Sequence, residues 1–245
     1  MIKSSAHLDR IKPLLEKTVR DSRAWDMALL DAEKQGPVTV AFLNQHGINT
    51  SIRIKPFYDF LLNSDYLLRD GIGVKLALKL FGLGETENLN GTDLITAIIN
   101  RYQHRRLAIF GASDETMIAC RQRLEREGIS GIVAMENGFH EDDYYLSLCR
   151  SVKPDVVVLC MGMPRQEILA AKLKDLALAK LIICGGGWAD FYSGIKIRAP
   201  LWVRKLSLEW MHRLLKEPRR LGKRYTVDIV YYFCVIVMAR FLKVK

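Results

Sequence analysis

Asp155-Val156-Val157-Val158-Leu159-Cys160, running at once into Met161-Gly162-Met163-Pro164, is the stretch that decides how this chain folds. An unbroken apolar run after Asp155 predicts a strand buried on both faces, and the glycine turn that follows predicts an immediate switch toward a helix. The same grammar recurs outward in both directions: VTVAFL at 38–43, LAIF at 107–110 and LIIC at 181–184, with IVAM at 132–135 as a fifth strand. Between them lie helical patterns. Residues 114–127 place Met117, Cys120, Arg121 and Leu124 at helical spacing, with Ser113 as N-cap before two acidic residues. Strands alternating with helices predict an α/β fold, a Rossmann-like, mostly parallel sheet with helices on both faces.

Glycine-containing loops follow three of these strands, at Gly111-Ala112-Ser113, Met161-Gly162-Met163-Pro164 and Gly185-Gly186-Gly187. In open α/β sheets the crevice beyond the carboxyl ends of the strands is the usual ligand site, and helix amino termini there offer N–H groups to phosphate. A nucleotide site is therefore expected, with Gly111, Ser113, Gly162, Pro164 and Gly186 as candidate contacts. Tight strand-to-helix turning is the alternative use of the same glycines.

The net charge of +10 is unevenly placed. Residues 1–195 hold 24 basic and 24 acidic side chains, whereas 196–245 hold 13 basic and 3 acidic ones. A tail of this kind is expected to meet something anionic. From Pro200 onward, LWVRKLSLEWMHRLLKEPRRLGKRY mixes Trp and Leu with Arg and Lys, and Leu206, Trp210 and Leu214 would line one helical face. The uncharged stretch 229–239 is 11 residues long, against roughly 20 needed to cross a bilayer as a helix. It suits an interfacial segment, with a helix packed on the domain as the alternative. The expected division is an α/β core over 1–200 and a basic, apolar, membrane-associating helical appendage over 201–245. Loss of the segment from Thr226 is expected to weaken attachment more than turnover.

Five cysteines without CxxC or zinc-ligand spacing read as reduced core residues. The first residues lack the apolar region of a signal peptide, so export is not expected. Motifs for nucleophilic hydrolysis and for zinc are absent, and Gly71-Ile72-Gly73 does not continue into GxGxxG. That last absence counts against a nucleotide-binding oxidoreductase. The long aliphatic side chains of the tail count against the other alternative, a nucleic-acid binder using that tail.

Asp70, between Leu67-Leu68 and Gly71, sits at a strand end or turn where a carboxylate can serve as a general base. An N-cap for the helix beginning near Val74 is the competing role. Gly71-Ile72-Gly73 follows a charged Arg69-Asp70 and not a buried strand on this reading. Asp142-Asp143 reads as the acidic first turn of a helix and lacks Asp-x-Asp spacing, so no metal and no cofactor are expected.

Several motifs, in order, resemble the WecG/TagA/CpsF glycosyltransferase family, also called glycosyltransferase family 26. They are Leu43-Asn44, Arg69-Asp70-Gly71-Ile72-Gly73-Val74, Asn90-Gly91-Thr92-Asp93-Leu94, Phe110-Gly111-Ala112-Ser113, Gly162-Met163-Pro164-Arg165-Gln166-Glu167, residues 185–191 and Arg198-Ala199-Pro200. The tail adds Leu208-Glu209-Trp210, Arg213, Glu217-Pro218-Arg219-Arg220 and Arg224-Tyr225. The likeness spans about residues 36–225. It implies an inverting, metal-independent hexosyltransferase that uses a UDP-sugar and acts on an undecaprenyl-diphosphate-linked saccharide in cell-surface polysaccharide synthesis. It implies a sugar of the N-acetylmannosamine, uronic acid or glucose class. Asp70 would be the base, Asn44 and Gln166 would orient donor sugar and acceptor, and Gly71 would lie at the donor. Several relatives carry Thr where this chain has Phe42, which bears on the sugar accepted.

A metal-free displacement needs protein cations for the leaving diphosphate, and Arg213, Arg219, Arg220 and Arg224 can supply them. A solvated face or lipid contacts are the alternative. The expected partners are the UDP-sugar, the lipid-linked acceptor and an anionic membrane surface, with no nucleic acid. The expected location is peripheral, on the cytoplasmic face of the bacterial inner membrane. A homo-oligomer is left open.

Overall fold

In the computed structural model of the chain, residues 8–19, 21–84, 87–205 and 208–241 are described. Six strands form one sheet, all parallel: β1 (Val38–Leu43), β2 (Tyr66–Arg69), β3 (Leu107–Gly111), β4 (Ile132–Glu136), β5 (Val156–Cys160) and β6 (Leu181–Cys184). Their order across the sheet is β2-β1-β6-β5-β3-β4. The chain thus runs outward from β1 to β2 on one side and from β3 to β4 on the other, while β5 and β6 fill the middle. Because every strand points the same way, all carboxyl ends meet at one edge.

Successive side chains of a strand point to opposite faces, and here both faces are covered. Ala41, Leu43, Ala108, Phe110, Val157, Leu159, Ile182 and Cys184 face one apolar layer. Val40, Phe42, Leu107, Ile109, Val156, Val158, Leu181 and Ile183 face the other. The first layer is closed by α1 (Ile11–Lys17), α3 (Gln45–Arg53), α4 (Lys55–Asn63), α5 (Ile72–Leu80), α8 (Asp142–Val152) and α9 (Arg165–Asp175). The second is closed by α2 (Arg23–Lys34), α6 (Gly91–Arg101), α7 (Asp114–Arg126) and α10 (Trp188–Tyr192). Ser113 caps α7, accepting from the Thr116 N–H, and Asp142 and Asp143 sit in the first turn of α8, both as expected.

β2 corrects the sequence reading that Gly71-Ile72-Gly73 follows no buried strand. Arg69 ends that strand and is 4% exposed. Its Nε donates to the Glu87 carbonyl at 2.7 Å and its Nη1 to the Gly71 carbonyl at 2.9 Å, so a charged side chain is accommodated at a buried strand end.

The tail forms α11 (Leu201–Lys205), α12 (Glu209–Lys216), α13 (Pro218–Tyr225) and α14 (Val227–Phe241). α14 returns to the first layer and lies against α3. Tyr232, Val235 and Ile236 are buried there, and the Tyr232 hydroxyl donates to the Gly73 carbonyl at 2.8 Å. Val230, Phe233, Val237 and Phe241 stay exposed on its outer side. Among the described residues no helix is long and apolar enough to cross a membrane. Four cysteines are buried as expected, but Cys234 is exposed on α14, because that helix buries only one side.

Candidate active site

The carboxyl edge of the sheet opens into a cavity of about 780 Å³. Its first wall follows from the pairing of β1 with β2. Leu43 lies opposite Arg69, and the Asp70 N–H donates to the Leu43 carbonyl at 2.9 Å, so the next residue of each strand, Asn44 and Asp70, emerges at the same place. Asn44 is the N-cap of α3, its Oδ1 accepting from the Gly47 N–H at 3.0 Å. That bond leaves Nδ2 to face the Asp70 carboxylate, with which Asn44 is hydrogen-bonded. Asp70 does not cap a helix. α5 begins behind Gly71, whose φ of 83° favours glycine, and that helix has no side-chain cap.

Burial pushes the Asp70 carboxyl above the usual carboxylate range, while Arg213, the Asn44 hydrogen bond, Arg224 and Arg69 pull in the opposite direction. A carboxylate held in this way is a stronger proton acceptor near neutral pH than an exposed one. His46, in the first turn of α3, also lines the cavity. Burial first, and Arg224 second, lower its pKa to about 4, so the ring is neutral at physiological pH.

The opposing wall is the tail. Arg204, Glu209, Trp210, Arg213, Arg224 and Tyr225 all line the cavity. Trp210 and Tyr225 lie with ring centroids 5.8 Å apart, and the Arg213 guanidinium sits 5.3 Å from the Phe191 ring centroid. This wall is tethered to the core through Arg198, which donates to Asn90 Oδ1 at 3.0 Å and to both Asp93 oxygens, and lies 3.7 Å from Glu209. Arg204 adds a 3.6 Å contact to Asp93.

The floor is made by the loops after β5 and β6. Gln166, 1% exposed at the start of α9, accepts on Oε1 from the Gly162 N–H at 3.2 Å and from the Gly186 N–H at 3.0 Å. Among the described residues no three His, Cys, Asp or Glu side chains converge as a metal-binding group.

The sequence pattern described as the Glycosyl transferase WecG/TagA/CpsF family matches residues 17–245. The chain belongs to this glycosyltransferase family. It is 32% identical over 171 residues to the N-acetylglucosaminyldiphosphoundecaprenol N-acetyl-beta-D-mannosaminyltransferase of Bacillus spizizenii (strain ATCC 23059 / NRRL B-14472 / W23), covering 67% of this chain and 66% of that protein. A protein of the same name from Staphylococcus aureus (strain MW2) is 24% identical over 193 residues, covering 77% of this chain and 76% of that protein.

Of the site residues expected from the sequence, Asn44, Asp70, Gly71, Gly162, Gln166, Gly186, Arg213 and Arg224 line the cavity. Gly111, Ser113, Pro164 and Arg219 do not. A Cβ at Gly111 would stand 2.2 Å from the Cys160 carbonyl carbon, so that glycine serves the close approach of β3 to β5. Ser113 is occupied by its cap, Pro164 leads into α9, and Arg219 is exposed. The side chain of Arg220 and all of Leu206 lie outside the described residues. Sequence reasoning missed Arg204, His46, Lys75, Phe139 and Asn88 as cavity residues. His46 carried a signal, two positions after Asn44, where the first turn of a capped helix faces its own strand end. Arg204 carried none beyond the charge of the tail.

Proposed function

We propose that this chain is an inverting glycosyltransferase that moves a hexose-type sugar from a UDP-sugar to a saccharide carried on a polyprenyl diphosphate. The observation that carries the reading is the Asp70 carboxylate, raised in basicity by burial and set across one cavity from Arg213 and Arg224. Asp70 takes the proton of the acceptor hydroxyl. That oxygen forms a bond to the anomeric carbon as the bond from this carbon to the UDP oxygen breaks, and the electron pair leaves with UDP. A single displacement inverts the anomeric configuration. Arg213 and Arg224, with Arg204 lining the same cavity, offset the charge that develops on the diphosphate. In this reading no metal or cofactor is needed, and activity is expected to be unchanged by EDTA.

The names of the relatives support N-acetylmannosamine as the sugar and an N-acetylglucosamine-capped undecaprenyl diphosphate as the acceptor. Residues 201–245 act as an appendage with two tasks. α12 and α13 present arginines to the cavity, while the outer side of α14 meets an anionic membrane surface. Tyr232 and Arg240 bind α14 to both ends of α5, at the Gly73 and Leu80 carbonyls. The exposed Ile72 and Leu76 of α5 and the exposed Phe233 and Val237 of α14 lie on these two joined helices, which also carry Lys75, Lys79 and Arg240. Exposed apolar side chains mixed with cations suit a lipid surface. The deciding experiment offers a panel of UDP-sugars with a synthetic polyprenyl-diphosphate N-acetylglucosamine and reads product mass. Transfer from UDP-N-acetylmannosamine is expected; absence of transfer from every donor sinks the proposal.

A further inference from the structure

We infer that Glu167 is a positioning residue that holds the Gln166 amide in the one orientation able to tie together the two glycine loops under the cavity. Gln166 receives two backbone N–H groups on Oε1, one from each loop. An amide turned over by 180° would place its own NH₂ against both of those donors and lose the two bonds. A third bond holds the amide in the same orientation from its other end: Nε2 donates to Glu167 Oε1 at 2.7 Å. Besides Gln166, the Glu167 carboxyl is hydrogen-bonded only to its own backbone N–H in the first turn of α9 among the described residues; it is fully buried, and its Oε2 has no hydrogen-bond partner. Its neighbours along the buried side of α9 are Leu169, Ala170 and Leu173, a setting in which an aliphatic side chain would be the cheaper occupant.

Gly162 and Gly186 both have positive φ, 80° and 58°, and both line the cavity. The loops that carry them come from neighbouring strands, whose last direct backbone bond runs from the Gly185 N–H to the Leu159 carbonyl; beyond it the Gln166 side-chain oxygen links Gly162 to Gly186. With the amide released, each loop is free to move by itself, and the site for the donor loses its floor. This inference rests on the proposed donor site only for the meaning of the floor; the loop geometry stands without it.

The test uses the full chain with Glu167→Gln, Glu167→Met, Glu167→Asp and Gln166→Ala, reading UDP affinity by calorimetry and amide exchange in the peptides containing Gly162 and Gly186. Glu167→Gln keeps an acceptor in place and is expected to match the parent in both readings. Glu167→Met removes the acceptor, and Glu167→Asp retracts it by one methylene; each is expected to weaken UDP binding about tenfold and to speed exchange at both glycines. In a Gln166→Ala background the same Glu167 changes are expected to add nothing, as befits a residue acting only through Gln166. If Glu167→Met fails to fold, Glu167→Asp carries the comparison. Parent-like UDP affinity and exchange in a folded Met or Asp variant would overturn the inference. So would a loss that persists undiminished without Gln166. Failure of UDP to bind the parent chain would instead count against the proposed donor site, and the exchange readings would still decide the role of Glu167.

Discussion

Asn44 divides its amide between two tasks: Oδ1 starts α3 by accepting from the Gly47 N–H, and Nδ2 turns to the Asp70 carboxylate. The helix cap therefore sets the direction of the hydrogen bond that the base receives. Asp70→Asn preserves shape but cannot take a proton, so transfer is expected to fall by about 10²-fold or more with UDP affinity nearly intact. Near-normal turnover at saturating acceptor would remove Asp70 from the role of base.

The pH dependence follows from the same pair. A base works when unprotonated, and burial raises the Asp70 pKa, so kcat/KM should rise with pH through a limb above the ordinary carboxylate range. Asn44→Ala removes a hydrogen bond that favours the charged carboxylate, which should move this limb to still higher pH. It should also cost about 1 kcal/mol of stability through the lost cap. A limb left in place would show that Nδ2 does not matter to the base.

Arg213 and Arg224 face Asp70 from the tail. Replacing either by Ala should weaken UDP binding by about 10- to 100-fold, the range for a charge-assisted hydrogen bond, whereas Arg219→Ala on the exposed side should leave it unchanged. Equal effects of all three would reduce the tail to a diffuse positive field.

Anchoring and folding are joined in α14. Loss of everything from Thr226, expected to weaken attachment more than turnover, should also cost stability, because Tyr232, Val235 and Ile236 are built into the first apolar layer. Burial of each such side chain is worth about 1.5–3 kcal/mol, so this truncation should lower Tm sharply. Phe233→Ser with Val237→Ser on the outer side should instead keep Tm and reduce sedimentation with anionic vesicles. The parent's vesicle binding should weaken with salt and leave a salt-resistant remainder.

Glu167 carries its own pH signature. Burial raises its pKa from 4.5 to about 7, against the Gln166 hydrogen bond, and the Cys184 thiol on β6 is the titratable group facing it. Burial also holds that thiol protonated. Between 4.5 and about 7 the folded chain binds one more proton than the unfolded chain, so stability declines across this window and levels above it. Glu167→Gln should lack the decline. The gap between the two stability curves is expected to grow by about 3 kcal/mol from the acid end to the neutral end. Parallel curves from denaturant titrations would refute it.

Much of this architecture was legible in the sequence because parallel strands buried on both faces declare themselves as apolar runs. β1 and β6 end where periodicity predicts, and β3, β4 and β5 differ only at their ends. β2 read only as a strand end at Asp70, since its Arg69 finds carbonyl partners that local sequence does not display. Asn44 and Asp70 could be named but not joined, because their meeting depends on the Leu43–Arg69 register across separate segments. Gly111 and Ser113 were drawn into the site by a loop pattern that recurs after several strands. Their actual tasks, close strand approach and helix capping, need the sheet in three dimensions. Arg204 was lost in the positive charge of the tail, which does not say which cations turn inward.

The order β2-β1-β6-β5-β3-β4 also has a consequence for the birth of the protein. A ribosome delivers β1 to β4 before either central strand exists, so two half-sheets must wait with β1 and β3 each showing an unpaired inner edge. Those edges are adhesive until β5 and β6 arrive between them. The wedge is made of contacts distant in sequence, which form slowly, and the nascent chain is exposed to mispairing throughout that interval. Cells making this protein in quantity should therefore lose it to aggregation at the stage when about two-thirds of the chain has emerged, well before its last helix can dock.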